Sequence, residues 1–228
     1  TYEGVVIKLG KNFANISMLP NSTIIAGSAC SDKKLSDFAM ENEVGGFEFL
    51  ACIPGTVGGG LRMNAGCFNR EFKDILLSVQ AIDRNGRVLT IPAKKIMFEY
   101  RNNDLPEDLI FLSASFKGFN KDKEKIKTEI IDLKDKKDNS QPTKIKTSGS
   151  TFKNPINQSD KKVWQLIKES VPQDLNFGDA SISEKHFNFF VNKGNASFND
   201  MIKLINFVQE QVKKKTGIIL EKEIKILE

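Results

Sequence analysis

The chain has 228 residues, a net charge of +5 and a hydrophobic fraction of 39%. That length supports one large domain or two ordinary ones with cores of their own, and no apolar run in it is long enough to span a bilayer. Three cysteines without a C-x-x-C pair and a single histidine, His186, exclude a disulfide framework and a multi-histidine metal centre. The expectation is three buried thiols in a reducing, cytoplasmic setting.

The positive charge is lysine. Only Arg62, Arg70, Arg84, Arg87 and Arg101 are arginine, so 34 − 5 leaves 29 lysines. They alternate with Glu and Asp, as from Lys121 to Lys137, which reads as solvated surface. A nucleic-acid site would show arginine clusters or basic residues interleaved with aromatics. The modest positive field favours small anions such as nucleotides.

In chain order, the sequence opens at Thr1, and Val5, Val6, Ile7 and Leu9 read as a strand, so it is expected to begin inside a domain. Strands follow at Ile24 to Gly27, Leu76 to Asp83, Arg87 to Ile91 and Ile110 to Lys117. Asn85-Gly86 predicts a type I′ hairpin turn. A helix is expected from Ser31 to Asn42, with Ser31 or Asp32 as its cap. Residues 119–146 are dense in Lys, Asp and Glu, and Ile126, Ile130 and Leu133 form one narrow apolar stripe of a docked helix. Beyond it come a helix around Val163 to Ile167, a buried strand at Asn188 to Asn192 and a longer helix capped by Asn199 and ended by Gly217. A last strand is expected at Ile218 to Ile226.

Three stretches carry chemistry. Gly45 to Gly60 is rich in glycine but has neither the spacing of a dinucleotide fingerprint nor the lysine of a P-loop. It offers main chain, with N–H groups that suit phosphate or a flat ring, and on its own it reads equally as a structural turn. Phe98-Glu99-Tyr100-Arg101 holds the last arginine, whose planar fork matches a carboxylate; alone it also fits a surface ion pair. Ser148-Gly149-Ser150-Thr151-Phe152-Lys153-Asn154-Pro155 reads alone as a turn or a helix start.

Together these strings resemble the UDP-N-acetylenolpyruvoylglucosamine reductases. Ile53-Pro54-Gly55-Thr56-Val57-Gly58-Gly59 followed by Met63-Asn64-Ala65-Gly66 is similar to that family's flavin loop, which implies FAD contacts at Ile53, Pro54, Gly55, Thr56, Gly58, Gly59, Asn64 and Gly66. The resemblance makes Arg101 the group that holds the substrate carboxylate, Ser150 the proton donor and Asn154 a contact to the nucleotide-sugar. The C-terminal Leu220-Glu221-Lys222-Glu223 is similar to the family's last catalytic segment, with Glu223 as the third catalytic residue, acting protonated. His186 is better read as a structural or ring-contacting residue than as a base.

The resemblance implies an α+β architecture. Residues 1–118 would be part of a vanillyl-alcohol-oxidase/PCMH-like FAD-binding domain lacking its upstream lobe, 119–146 a connector helix and linker, and 147–228 a smaller α+β substrate-binding domain. It also implies FAD as cofactor, NADPH as co-substrate and UDP-N-acetylglucosamine enolpyruvate as substrate, in a flavoprotein oxidoreductase of peptidoglycan synthesis that acts as a cytoplasmic monomer without nucleic-acid or membrane partners. The chain departs from the pattern at Glu169 to Leu175, which lacks the usual glycines, and at Lys137, where an arginine is expected near the flavin. It also ends without the usual Ile-Gly. The compact second part fits the shorter subfamily. Another flavin dehydrogenase would share the glycine loop but has no reason to carry Ser150 to Asn154. A non-catalytic nucleotide-binding module would not need both Arg101 and Glu223.

Overall fold

The structure, a computed structural model, describes residues 3–142 and 145–227. The chain divides into two compact units, Val5–Lys137 and Asp138–Glu228, the latter joined by Thr1–Gly4.

The first unit is built on an antiparallel sheet. In chain order its strands are β1 (Ile16–Leu19), β2 (Thr23–Gly27), β3 (Val44–Gly45), β4 (Gly66–Cys67), β5 (Arg70–Glu71), β6 (Leu76–Ile82), β7 (Val88–Pro92), β8 (Phe98–Glu99), β9 (Asn102–Asn103), β10 (Ile110–Lys117) and β11 (Phe119–Asn120). The main sheet runs β1-β2-β10-β6-β7, and the short strands pair as β3 with β11, β4 with β5, and β8 with β9. Helix α1 (Asp32–Glu41) packs on the 3-10 turn over Glu48–Cys52 and on β3, with Ser31 as N-cap accepting from the Lys34 N–H at 3.2 Å. Helix α2 (Val57–Arg62) carries the last glycines of the glycine segment and packs on β2 and β10, and α3 (Lys123–Ser140) follows β11. The core gathers Ile24, Leu35, Phe47, Phe72 and Phe116, all at most 1% exposed. Phe72 meets Phe49 and Phe116 edge-on at centroid distances of 6.4 and 6.0 Å.

Two expectations here give way. Residues 5–9 form no strand, and Val5, Val6 and Ile7 are more than two-thirds exposed; β-branched residues make a strand only where a neighbour completes the ladder. The turn after β6 is also not type I′. Asn85 keeps a negative φ and only Gly86 is left-handed, at φ 78°. Asp83 decides this, since its Oδ1 accepts from the N–H groups of both Asn85 and Arg87, the local side-chain turn that Asp favours. In α3, Ile126 and Ile130 are buried as the stripe requires, while Ile131 on the other face is exposed.

The second unit has a four-stranded antiparallel sheet in the order β12 (Lys146–Ser150), β15 (Phe189–Asn192), β14 (Ala180–Ile182), β13 (Asn176–Phe177). Helices α4 (Val163–Ser170) and α5 (Phe198–Thr216) pack on it through Val163, Leu166, Ile167, Leu204, Ile205 and Val208. Helix α5 starts two residues earlier than expected. Ser197, not Asn199, is its cap, in a reciprocal box with Asp200, and Gly217 ends it at φ 76°. The segment 218–226 is not a continuous strand: among the described residues its one strand-like bridge is Phe152 to Lys222, and Leu220 anchors it in the core.

Candidate active site

The glycine segment becomes a loop between two anchored ends. Upstream, a 3-10 turn over Glu48–Cys52 is held at its start by Glu48, whose carboxylate accepts from the Gly46 N–H at 2.7 Å and pairs with Lys121 at 2.8 Å. At its end Lys137 Nζ donates to the Cys52 carbonyl at 2.8 Å. Downstream, Asn64 is fully buried at φ 39° and its amide is engaged on both sides. Its Nδ2 donates to Glu71 and to the Glu99 carbonyl, and its Oδ1 accepts from the Lys73 N–H. What Asn64 offers a ligand is therefore the course of the main chain. Gly66 is glycine for packing, since a Cβ there would lie 2.3 Å from the Arg70 carbonyl oxygen across the β4–β5 pair.

Between those ends the loop presents a bare face. Pro54, Gly55, Thr56 and Gly59 are exposed, with Ile53 and Gly58 half-buried beside them. A Cβ at Gly59 would meet nothing closer than Thr56 Oγ1 at 3.9 Å, so no protein neighbour demands glycine there. Thr56 stands at the N-cap of α2 without using its hydroxyl to cap. This strip fits a flat ring laid against main chain. It is not the open cradle of N–H groups that the glycine count suggested. The N–H groups of Val57, Gly58 and Gly60 donate to the carbonyls of Cys30, Ser28 and Thr56.

Arg101 is delivered to the same strip. It sits at φ 57° in the turn between β8 and β9, its guanidinium 4.9 Å above the Tyr100 ring, and Nη2 donates to the Gly66 carbonyl at 3.2 Å. The hairpin that carries it is tied to the exit of α2, because Asn103 Nδ2 donates to the carbonyls of Leu61 and Arg62. The other nearby arginine is structural. Arg62 donates to the carbonyls of Leu105, Pro106 and Leu109 and lies 4.3 Å over the Phe111 ring.

In the second unit, Ser150, Asn154 and Glu223 lie within one short piece of paired chain. The Glu223 N–H donates to the Thr151 carbonyl and the Lys153 N–H to the Glu221 carbonyl, both at 2.8 Å. Lys153 and Glu221 also pair through their side chains at 2.5 Å. Ser150, half-buried, is opposite Phe189 at the end of β12. Asn154 Oδ1 accepts from the Val163 N–H at the start of α4 at 3.0 Å. The ring of His186 is 4.9 Å from that of Phe189, and its Nδ1 accepts from the Asn188 N–H. Burial holds its pKa below the ordinary histidine value.

Three contributors were given no role at the site from the sequence. Asn188, inside an apolar run, grips Phe152 from both sides: Oδ1 accepts from its N–H at 3.0 Å and Nδ2 donates to its carbonyl at 2.8 Å. A lone amide among Phe187, Phe189 and Phe190 has to find such partners, and that was its signal. Glu48 is the second. The third, Asp32, is fully buried beneath Gly55.

The chain matches known proteins along nearly its whole length. Residues 1–92 match an FAD binding domain, and residues 141–227 match the C-terminal domain of UDP-N-acetylenolpyruvoylglucosamine reductase. Over 226 residues it is 74% identical to the UDP-N-acetylenolpyruvoylglucosamine reductase of Pelagibacter ubique (strain HTCC1062), spanning 99% of this chain and 75% of that one. The chain belongs to the UDP-N-acetylenolpyruvoylglucosamine reductase family.

Other members agree. The reductase of Rickettsia bellii (strain RML369-C) is 46% identical over 223 residues, 98% of this chain and 73% of its own length. The crystal structure of the Thermus caldophilus reductase superposes with a TM-score of 0.78 at 30% identity, covering 90% of this chain and 72% of that one. The family thus includes proteins with longer chains, of which this one spans about three quarters. The FAD-dependent chemistry of a reductase accords with the strip over residues 53–66, whose exposed glycines and unused Thr56 hydroxyl fit the cofactor. Among the described residues no cluster of His, Cys, Asp or Glu is suited to a metal ion, and no helix is long and apolar enough to cross a membrane.

Proposed function

We propose that the chain reduces UDP-N-acetylglucosamine enolpyruvate to UDP-N-acetylmuramate with NADPH as reductant, as a cytoplasmic monomer. Residues 1–118 hold FAD, 119–146 connect, and 147–228 take the nucleotide-sugar. The observation that carries this reading is the delivery of Arg101 to Gly66, which sets a carboxylate-binding fork against the end of the glycine strip.

FAD, when bound, accepts hydride equivalents from NADPH and passes them to the enolpyruvyl alkene. The residues of the chain then manage charge and protons. Hydride arriving at the terminal carbon leaves negative charge beside the carboxylate. Arg101 meets it with a charge-assisted pair, and a preorganised group of this kind is worth about a hundredfold to a thousandfold in rate. Glu223 acts on the same enolate as the third catalytic residue. Ser150 gives its hydroxyl proton to the neighbouring carbon, a weak acid matched to a strongly basic enolate. Asn154 orients the nucleotide-sugar, and Ile53, Pro54, Gly55, Thr56, Gly58, Gly59 and Gly66 supply the surface on which the cofactor lies, with Asn64 shaping that surface from below.

The test is direct. Purified full-length protein should be yellow and oxidise NADPH steadily only when the enolpyruvyl nucleotide-sugar is supplied. NADPH oxidation indifferent to that sugar would remove the assignment.

A further inference from the structure

Asp32 is out of place by ordinary rules. It is the first residue of α1, 0% exposed, and neither carboxylate oxygen has a hydrogen-bond partner among the described residues. One turn on, Ser36 Oγ is likewise buried and without a partner. Burying a carboxylate unpaired is so unfavourable that such a group stays protonated or regains water. Among the described residues no cation pairs with it. On α1, Lys33 pairs with Asp37 at 2.5 Å on the exposed face, and Lys34, whose N–H meets Ser31, acts on the Cys30 thiol. Burial raises the pKa of that thiol, so it brings Asp32 no compensating charge. From the 3-10 turn packed on α1, Glu48 is already paired with Lys121. Burial alone raises the Asp32 carboxyl, to about 7.

The residue that covers this carboxyl is Gly55. A Cβ built there would be 3.3 Å from Asp32 Oδ2, and the Asp32 N–H donates to the Gly55 carbonyl at 3.2 Å. Gly55 is itself exposed and belongs to the bare strip. Gly55 is thus an exposed residue lying directly against the buried carboxyl, the neighbour whose movement would admit water to an ionised Asp32.

We propose that Asp32 is a positioning residue for the flavin strip: its neutral carboxyl lets Gly55 close over the start of α1, and its ionisation opens the Ile53–Thr56 segment and weakens the hold on FAD. This rests on the reading of residues 53–66 as the FAD surface. It adds a proton-linked control that touches neither the substrate nor the reacting atoms.

The experiment measures FAD dissociation from the full-length protein by flavin fluorescence between pH 5.5 and 8.5, in the wild type, Asp32→Asn and Asp32→Leu. Amide exchange at Asp32 is followed alongside. The wild type should lose affinity by about tenfold or more as pH rises through neutrality, the scale of a one-unit proton linkage. The Asp32 amide should exchange faster than its base-catalysed expectation over the same range. Both neutral variants should bind FAD with the wild type's low-pH affinity across the whole range. A slope unchanged in both variants overturns the proposal, as does loss of FAD at every pH in variants that remain folded. If the wild type fails to bind FAD at any pH, the reading of the strip itself falls, and this inference with it.

Discussion

The backbone N–H of Glu223 donates to the carbonyl of Thr151 at 2.8 Å. That bond, with the Phe152–Lys222 bridge beside it, brings the C-terminal segment alongside the residue that follows Ser150. Two groups assigned to the same chemistry thus share one scaffold, pinned in turn by Asn188.

Ser150→Ala should separate the two half-reactions. In stopped-flow absorbance, reduction of the flavin by NADPH should keep the wild-type rate, while reoxidation by the enolpyruvyl sugar should slow by about a hundredfold or more, the usual scale for a lost proton donor. Glu223→Gln, which can still donate a hydrogen bond through its amide, should retain more turnover than Glu223→Ala. Equal slowing of both half-reactions in Ser150→Ala would make Ser150 a structural residue.

The sequence was most legible where one physical rule dominated. Alternating apolar residues placed β2, β6, β7 and β10 within a residue or two, and Ser31 and Gly217 marked helix ends because caps answer to local hydrogen bonding and φ. It was least legible where a partner decides the outcome. Val5 to Leu9 has the composition of a strand but pairs with no strand among the described residues. The 218–226 segment alternates like a strand yet pairs at one bridge. The strings around Arg101, Ser150 and Glu223 were readable only through family likeness. Nothing in Tyr100-Arg101 announces a left-handed turn whose guanidinium reaches Gly66. Asp32 looked like a helix cap because Asp at a helix start ordinarily is one, and its burial depends on Gly55, far off in sequence.

Arg101→Lys should test the fork rather than the charge. Lysine keeps the positive charge but cannot make the two parallel hydrogen bonds to a carboxylate. Steady-state kinetics should show kcat/KM for the enolpyruvyl sugar lower by about a hundredfold, with both a raised KM and a lowered kcat. The rate of flavin reduction by NADPH should stay within about twofold of wild type. Full activity in the lysine variant would mean that only a point charge is required.

Gly60→Ala should destabilise the first unit although alanine is the better helix former. The new Cβ would lie 2.2 Å from Phe72 Cε2, and that ring is held between Phe49 and Phe116 with no solvent to move into. Overpacking of this kind costs about 1–3 kcal/mol, against a helical gain of at most about 1 kcal/mol. Urea unfolding should therefore show a lower midpoint. Phe72→Leu, destabilising alone, should cost less in the Gly60→Ala background. A double-mutant cycle with no coupling would show that the contact is relieved elsewhere.

Asp32 also makes a prediction about stability that is independent of any ligand. Its carboxyl is raised by burial to about 7 in the folded chain, against about 3.9 when unfolded. The folded state therefore holds a proton that the unfolded state has released between those values. By linkage, the contribution is fully present below about pH 4, shrinks as pH rises, and is lost once pH passes about 7. A shift of about three units corresponds to roughly 4 kcal/mol over that window. Asp32→Asn carries no titrating group and no such slope. The difference in urea midpoint between variant and wild type should thus grow in favour of the variant from pH 5 to pH 8 and level off above. A difference independent of pH would place the Asp32 carboxyl in contact with water.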